Sequence, residues 1–332
     1  MDKVAIVIPS WNGRHHLERC LPSLLAQDYP DFEILLVDNA STDDTVDWVR
    51  QHYPQIRLIW NQENYGFARA VNIGIRATET PFVVTLNNDT VVDGAWLGNL
   101  VATAGAEPAV GMVASKVLYM QPPHLVDSAG ADVDRAGFYW NRYNGMKDKP
   151  EEIEPYEVFG ACASAALYRR QMLDEIGLFD HRFFAYCEDM DLAWRGRLMG
   201  WRCVYVPLAR VYHAHSATSG QGSAFKRFLT SRNRIWTVVK NYHSPDFWLQ
   251  LPRLVFYDLL SAVFRVAQER SLSPITGRLA SLGRLPHYWR KRHAIQHGRR
   301  VTSAYLNRAL APFPNIVDLI VGRSRRPHRV QR

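Results

Sequence analysis

The sequence predicts an α/β protein, with a mainly parallel sheet carrying helices on both faces and a helical C-terminal extension. Three observations carry this expectation. Apolar runs rich in β-branched residues recur through the first hundred residues, with helical stretches of 11 to 14 residues between them, and repeated strand–helix–strand units favour a parallel sheet. Each of those runs ends in a polar loop. Past residue 245, basic and aromatic residues interleave and the acids thin out.

In chain order, VAIVI (4–8), EILLVD (33–38), IRLIW (56–60) and PFVVTL (81–86) read as buried strands. Helices are expected over 14–27, 42–52 and 67–77 between them. Later strand candidates are VGMVASKVLY (110–119), FGACASAALY (159–168) and CVYVPLARVYH (203–213). The four early strands end in Pro9-Ser10-Trp11-Asn12, Asp38-Asn39-Ala40-Ser41, Asn61-Gln62-Glu63-Asn64 and Asn87-Asn88-Asp89. In an open α/β sheet ligands sit beyond the carboxyl ends of the strands, so four polar loops on one edge outline a cleft.

With 47% hydrophobic and 22% charged residues the chain has the composition of a globular protein. Cys20, Cys162, Cys187 and Cys203 form no C-x-x-C pair, which argues against a cysteine zinc site or a disulfide framework and for a reducing cytoplasm. The N-terminus shows neither a basic leader nor a long apolar segment, so no secretion signal is expected. The net charge of +8 is uneven. Residues 246–332 carry a net of +12, and residues 1–245 a net of −4.

The longest apolar stretch of that tail, 254–267, is broken by Asp258 and Arg265 and is too short and too charged to span a bilayer. Interleaved basic and aromatic residues fit an interfacial helix on an anionic membrane surface. The same mixture would suit nucleic acid, but no nucleic-acid module is recognisable and no such partner is expected. The expected location is cytoplasmic, peripheral on the inner face of the cell membrane.

Glycine-rich phosphate loops are missing: no G-x-G-x-x-G follows the first strand and no G-x-x-x-x-G-K-[ST] occurs. That speaks against a dinucleotide dehydrogenase and a P-loop NTPase. Three acids, Glu188, Asp189 and Asp191, stand among aromatics in FFAYCEDMDLAWRGRLMGW (183–201). Adjacent helical residues diverge by about 100°, so Glu188 and Asp189 cannot both face one substrate. One desolvated carboxylate near an acceptor hydroxyl would make a general base. Acids in a first helical turn would equally offset the helix dipole.

The segments VAIVIPSWNG, LLVDNASTDDT, NYGFARAVNIGI, TLNNDTVV, FFAYCEDMDLAWRGRLMGW and VYHAHSAT resemble, in order, the signature of family 2 glycosyltransferases, closest to the bacterial rhamnosyltransferase-like branch. The resemblance covers roughly residues 3–245. It implies a GT-A domain over 1–245, followed by a basic amphipathic extension over 246–332, and an inverting transfer that uses Mg²⁺ or Mn²⁺. It implies a base at Asp189, with Pro9, Asn12, Asp38, Asn64 and Gly66 around the nucleoside. Asn87, Asn88 and Glu188 are further candidates for substrate contact. NNDT occupies the place of the D-x-D metal motif, with Asn87 instead of the first acid, so Asp89 is the expected metal ligand. His213 or His215 could follow as a second ligand, and the resemblance selects His213. Arg232 and Arg234 are placed against the leaving diphosphate, since bidentate arginine suits that group.

The expected reaction moves a sugar, L-rhamnose by branch resemblance, from a dTDP- or UDP-sugar to a glycan or lipid-linked acceptor in cell-surface polysaccharide biosynthesis. Two rivals remain at this point: a sugar-phosphate nucleotidyltransferase and a non-catalytic nucleotide-sugar-binding module at the membrane.

Overall fold

The computed structural model describes residues 2–214 and 223–317, so His215 lies outside the described residues. Strands β1 (Val4–Ser10), β2 (Phe32–Asp38), β3 (Arg57–Trp60) and β4 (Phe82–Leu86) pair in parallel in the order β3-β2-β1-β4. The crossovers are α1 (Arg14–Leu25), α2 (Thr45–His52) and α3 (Gly66–Arg76). The β-branched runs of β1, β2 and β4 make strands that bury side chains on both faces, whereas β3, expected to be buried, pairs with β2 at the sheet edge and leaves Arg57 and Trp60 exposed. Val4, Ile6 and Ile8 pack with Leu17, Leu21 and Leu24 of α1 on one face, while Val7 packs with Val71 and Ile75 of α3 on the other.

Next come β5 (Thr90–Val92), α4 (Trp96–Ala106), β6 (Val110–Tyr119), β7 (Val126–Ala129), β8 (Ala131–Val133), β9 (Tyr139–Asn141) and β10 (Tyr156–Val158). They are followed by β11 (Ala165–Arg169), α5 (Arg170–Ile176), α6 (Glu188–Leu198) and β12 (Arg202–His213). Strand β11 joins β4 antiparallel, and β6 and β12 extend the sheet as a parallel pair. Most of the paired residues are parallel, with antiparallel additions at β5, β7, β10 and β11. Of the expected strand 159–168 only the second half is one. Its first half crosses the carboxyl edge as an irregular segment, which matters below. Strand β5 pairs antiparallel with β12 so that Thr90 faces His213, and this register brings the NNDT loop beside the histidine.

The chain ends in α7 (Ala224–Asn241), α8 (Asp246–Glu269), α9 (Ser273–Leu282), α10 (Leu285–Gly298) and α11 (Ser303–Ala309). No break in packing marks residue 245. Leu254, Leu306 and Leu310 share one core with Val71 and Trp194, and the Ala311 amide donates to the Val133 carbonyl at 2.8 Å. Among the described residues no helix is long and apolar enough to cross a membrane.

Candidate active site

The first three strand-end loops are tied to one another. Asn12 adopts a left-handed conformation (φ 48°). Its N–H donates to Ser41 Oγ and its Oδ1 accepts from the Thr42 N–H, both at 2.8 Å. Asp38 ends β2 and is buried, and its carboxylate accepts from the Ser41 N–H at 2.9 Å and Ser41 Oγ at 2.5 Å. Burial pushes the Asp38 carboxyl up from its ordinary value, partly offset by those bonds. Pro9 lies opposite Val37 in the β1–β2 register. Asn64 Oδ1 accepts from the Gly66 N–H at 2.9 Å. Gly66 has φ +74°, and a Cβ there would sit 2.6 Å from the Phe184 ring. Only glycine allows that approach.

The fourth loop carries the second half of the site. Asn88, expected to meet substrate, is buried and donates through Nδ2 to Ser10 Oγ at 3.0 Å. Asn87 remains half-buried, with Nδ2 3.3 Å from His213 Nε2. Asp89 Oδ1 lies 3.1 Å from His213 Nε2, and His213 Nδ1 lies 2.8 Å from Asp127 Oδ2. Burial alone would lower the His213 pKa, but its hydrogen bonds to Asp127 and Asp89 outweigh it and push it up to about 9.

Asp89 and His213 together offer an oxygen and a nitrogen to one cation, with Asp127 behind the imidazole. A carboxylate on the far ring nitrogen is the usual second-shell partner of a metal-bound histidine, so the residues present fit a divalent ion. Among the described residues no group of three or more His, Cys, Asp or Glu converges on a metal position, so a bound ion would keep positions open for phosphate oxygens and water. Asp127 was not singled out by the sequence. Nothing in LVDSAG distinguishes it until β7 pairs with β6 and brings it beneath His213.

The three acids of 183–201 separate cleanly. Asp191 is fully buried and accepts from Arg195 Nε at 3.0 Å and from Lys240 Nζ and Asn241 Nδ2, each at 2.8 Å. It clamps α6 to α7. Glu188 is buried with Oε2 unbonded, and burial together with the Asp189 charge pushes its carboxyl well above the ordinary range. Asp189 alone is half-buried. Its Oδ1 accepts from the Met190 N–H at 2.7 Å and its Oδ2 from the Ala163 N–H at 3.3 Å. Desolvation raises its pKa.

The irregular segment 162–164 links this acid to the Asn87–Asp89 loop. Ala163 bonds Asp189 on one side, and the Ser164 carbonyl accepts from the Asn87 N–H at 2.8 Å on the other. Asp189 and the Asn87–Asp89 loop therefore share one wall. The turn leading into α6 is strained, with Phe184, Tyr186 and Cys187 at φ 68°, 68° and 69°, each costing on the order of 1–3 kcal/mol.

Arg232 and Arg234 do not line this wall. Arg234 is buried, ion-paired with Asp258, bonded to the Ala136 carbonyl at 3.2 Å and stacked 4.2 Å over the Phe138 ring. Arg232 bonds the Phe183 carbonyl at 3.1 Å and lies over Trp236. Lys226, in the first turn of α7, brings a cation toward Tyr186 and Asp127. Its Nζ lies 5.2 Å from the Tyr186 ring centroid, with Asp127 and Cys162 as electrostatic neighbours, and burial lowers its pKa.

Comparisons with known proteins bear on the family and the fold. The model of the family "Glycosyl transferase family 2" matches residues 5–177. The N-acetylglucosaminyl-diphospho-decaprenol L-rhamnosyltransferase of Mycobacterium tuberculosis is 32% identical over 312 residues, covering 83% of this chain and 99% of that protein. The O-antigen biosynthesis protein RfbC of Myxococcus xanthus is 31% identical over 230 residues, which are 65% of this chain and 18% of that one. Among solved structures, GalNAc-T7 with UDP, GalNAc and Mn²⁺ superposes with a TM-score of 0.62 at 17% identity, covering 85% of this chain and 55% of the other. The mannosyltransferase PcManGT from Pyrobaculum calidifontis, in complex with GDP-Man and Mn²⁺, gives 0.51 at 20%, covering 92% and 78%.

Fold and site define a GT-A sugar transferase. The chain belongs to glycosyl transferase family 2, and its relatives include a rhamnosyltransferase. A nucleotidyltransferase and a non-catalytic module are thereby set aside.

Proposed function

We propose that this glycosyltransferase moves L-rhamnose, with inversion, from dTDP-L-rhamnose to a hydroxyl of a lipid-linked glycan in cell-surface polysaccharide biosynthesis. The observation that carries the reading is the shared wall at 162–164, with Asp189 bonded on one side and the Asn87–Asp89 loop on the other. The decaprenol-linked acceptor of the mycobacterial relative supports the acceptor class.

In the reaction Asp189 accepts the proton of the acceptor hydroxyl as that oxygen attacks the anomeric carbon from the face opposite the diphosphate. The bond from that carbon to the diphosphate oxygen breaks, and the nucleoside diphosphate leaves with the electron pair. The raised pKa of Asp189 makes it a stronger base than a solvated carboxylate. Pro9, Asn12, Asp38, Asn64 and Gly66 hold the nucleoside. Lys226 takes the diphosphate contact first assigned to Arg232 and Arg234. A divalent cation on Asp89 and His213 would stabilise the charge of the departing diphosphate. The imidazole in the donor set favours Mn²⁺ over Mg²⁺, and both structural neighbours were solved with Mn²⁺.

The C-terminal helices would attach the protein to the anionic inner face of the cell membrane, where lipid-linked acceptors are available. Trp248, Leu249, Phe256, Leu259 and Val263 of α8 and Leu279 and Leu282 of α9 are exposed. Arg253, Arg265, Arg270, Arg284 and Arg290 are exposed on the same helical layer. Its acids among the described residues are all partnered, Asp258 and Glu269 by arginines and Asp246 by a 2.9 Å hydrogen bond with His243. Arg265 pairs with Glu269 at 3.6 Å, but arginines outnumber acids in this layer, and apolar side chains interleaved with net positive charge suit an anionic lipid surface.

The test is transfer of radiolabel from dTDP-L-rhamnose to N-acetylglucosaminyl-diphospho-decaprenol, compared with UDP- and GDP-sugars, in Mn²⁺. A labelled lipid formed best from the dTDP-sugar is expected. Transfer only from another donor would overturn the rhamnose assignment, and no transfer from any would overturn the acceptor class.

A further inference from the structure

The strained turn before the acids is held by a side chain that the chemistry itself does not use. Carbonyls of Phe183, Ala185 and Tyr186 converge on Asn233 Nδ2, at 3.0, 2.9 and 2.8 Å. An amide nitrogen carries two hydrogens, so the three acceptors share them and the group is saturated. The preceding residue fixes the direction of the amide. Arg232 Nε donates to Asn233 Oδ1 at 2.9 Å, and Arg232 Nη2 adds a second donor to the Phe183 carbonyl at 3.1 Å. Cys187 Sγ closes the turn against the Thr230 carbonyl at 3.8 Å. Asn233 has no exposed surface, so water cannot replace its bonds.

The turn has two working sides. Cys187 immediately precedes α6, so the exit of the turn sets where Asp189 projects. On the opposite side the Phe184 carbonyl accepts from the Ala68 N–H at 3.1 Å, and the Phe184 ring walls Gly66. Positive φ at three of four successive non-glycine positions persists only where surrounding bonds over-determine it. Here those bonds come from α7, which also grips Asp191 through Lys240 and Asn241.

We propose that Asn233, its amide oriented by Arg232, is a positioning residue for Asp189, holding the strained turn in the arrangement that aims the carboxylate at the acceptor hydroxyl. The inference rests on the reading of Asp189 as base. Without the amide three carbonyls lose their donor, the positive-φ residues relax, and the start of α6 moves. Proton abstraction tolerates little misplacement, and about 1 Å is enough for a loss on the order of 10²-fold.

The test is a double-mutant cycle read as kcat for transfer from dTDP-L-rhamnose to N-acetylglucosaminyl-diphospho-decaprenol, with dTDP affinity measured alongside. Asn233→Ala should lower kcat on the order of 10²-fold while dTDP still binds. In an Asp189→Asn background the same change should lower the residual rate by less than about threefold, because an effect exerted through the base vanishes with it. Equal losses in both backgrounds would overturn the proposal, since a purely structural residue lowers both alike. Near-normal turnover of Asp189→Asn alone would overturn the base reading and this proposal with it, an outcome distinct from the first. If Asn233→Ala does not fold, Arg232→Gln leaves Asn233 in place without its orienting donor. A loss of roughly tenfold confined to the Asp189 background supports the proposal, and the same loss in both backgrounds overturns it.

Discussion

Asp189 and Asp191 stand two residues apart on α6, and substituting each should produce a different failure. Asp191→Asn removes a charge that faces Arg195, Lys240 and Asn241 with no solvent access. Lys240 is itself buried and keeps only Asp180, which it already shares with Lys291. The new amide also turns a donor toward one of three donors. Removing one partner of a buried ion pair costs about 3–5 kcal/mol, and at roughly 2 °C per kcal/mol for a large domain this lowers Tm by about 6–10 °C. The assay is thermal unfolding beside turnover at a temperature where the variant is still folded. There kcat should stay within a few-fold of wild type. A variant that melts normally but does not turn over would refute the division of labour between the two acids.

Three further predictions follow from the site and the helical layer. Burial raises the Asp189 pKa, and a base works only when deprotonated, so kcat/KM should fall with decreasing pH through a value above the ordinary ~3.9; an acidic limb at or below that value would contradict desolvation of the base. EDTA should abolish the Mn²⁺-dependent part of dTDP binding by calorimetry, and Asp127→Asn should weaken Mn²⁺ binding by about 10–100-fold; undiminished binding in EDTA would leave Lys226 to neutralise the diphosphate alone. Replacing Leu249, Phe256 and Leu259 with Asp should leave turnover on a soluble acceptor intact and abolish sedimentation with anionic vesicles, since each inserted side chain contributes about 1.5–3 kcal/mol; vesicle binding by the triple variant equal to wild type would remove the membrane role of this face.

Much of the fold was legible because β-branched runs buried on both faces have few alternatives, and VGMVASKVLY became β6 residue for residue. The antiparallel additions were not legible: β5, β7 and β9 are three or four residues long and owe their pairing to neighbours, not to their own pattern. The strand-end loops and the ED pair stood out as candidates because their residue types sit where a cleft must open. Asp127 did not, since only the β6–β7 pairing makes it a partner of His213. In TSRNRIW, Arg232 and Arg234 look equally free to meet a diphosphate. Arg234 instead turns inward to Asp258, 24 residues along the chain, and Asn233, apolar in neither pattern nor spacing, became the hub of the strained turn. The composition change at 245 is real, but residues beyond it share in the core, where Leu254, Leu306 and Leu310 join the cluster that holds Leu192 and Trp194 of α6.

The central claim is that Asp189 is the base of a sugar transfer, and turnover of Asp189→Asn tests it most directly. The substitution nearly preserves shape and leaves the nucleoside loops and the Asp89–His213 pair untouched. Label transfer from dTDP-L-rhamnose to N-acetylglucosaminyl-diphospho-decaprenol should fall by at least ~10²-fold while dTDP affinity stays at the wild-type value. Transfer within a few-fold of wild type would contradict the account.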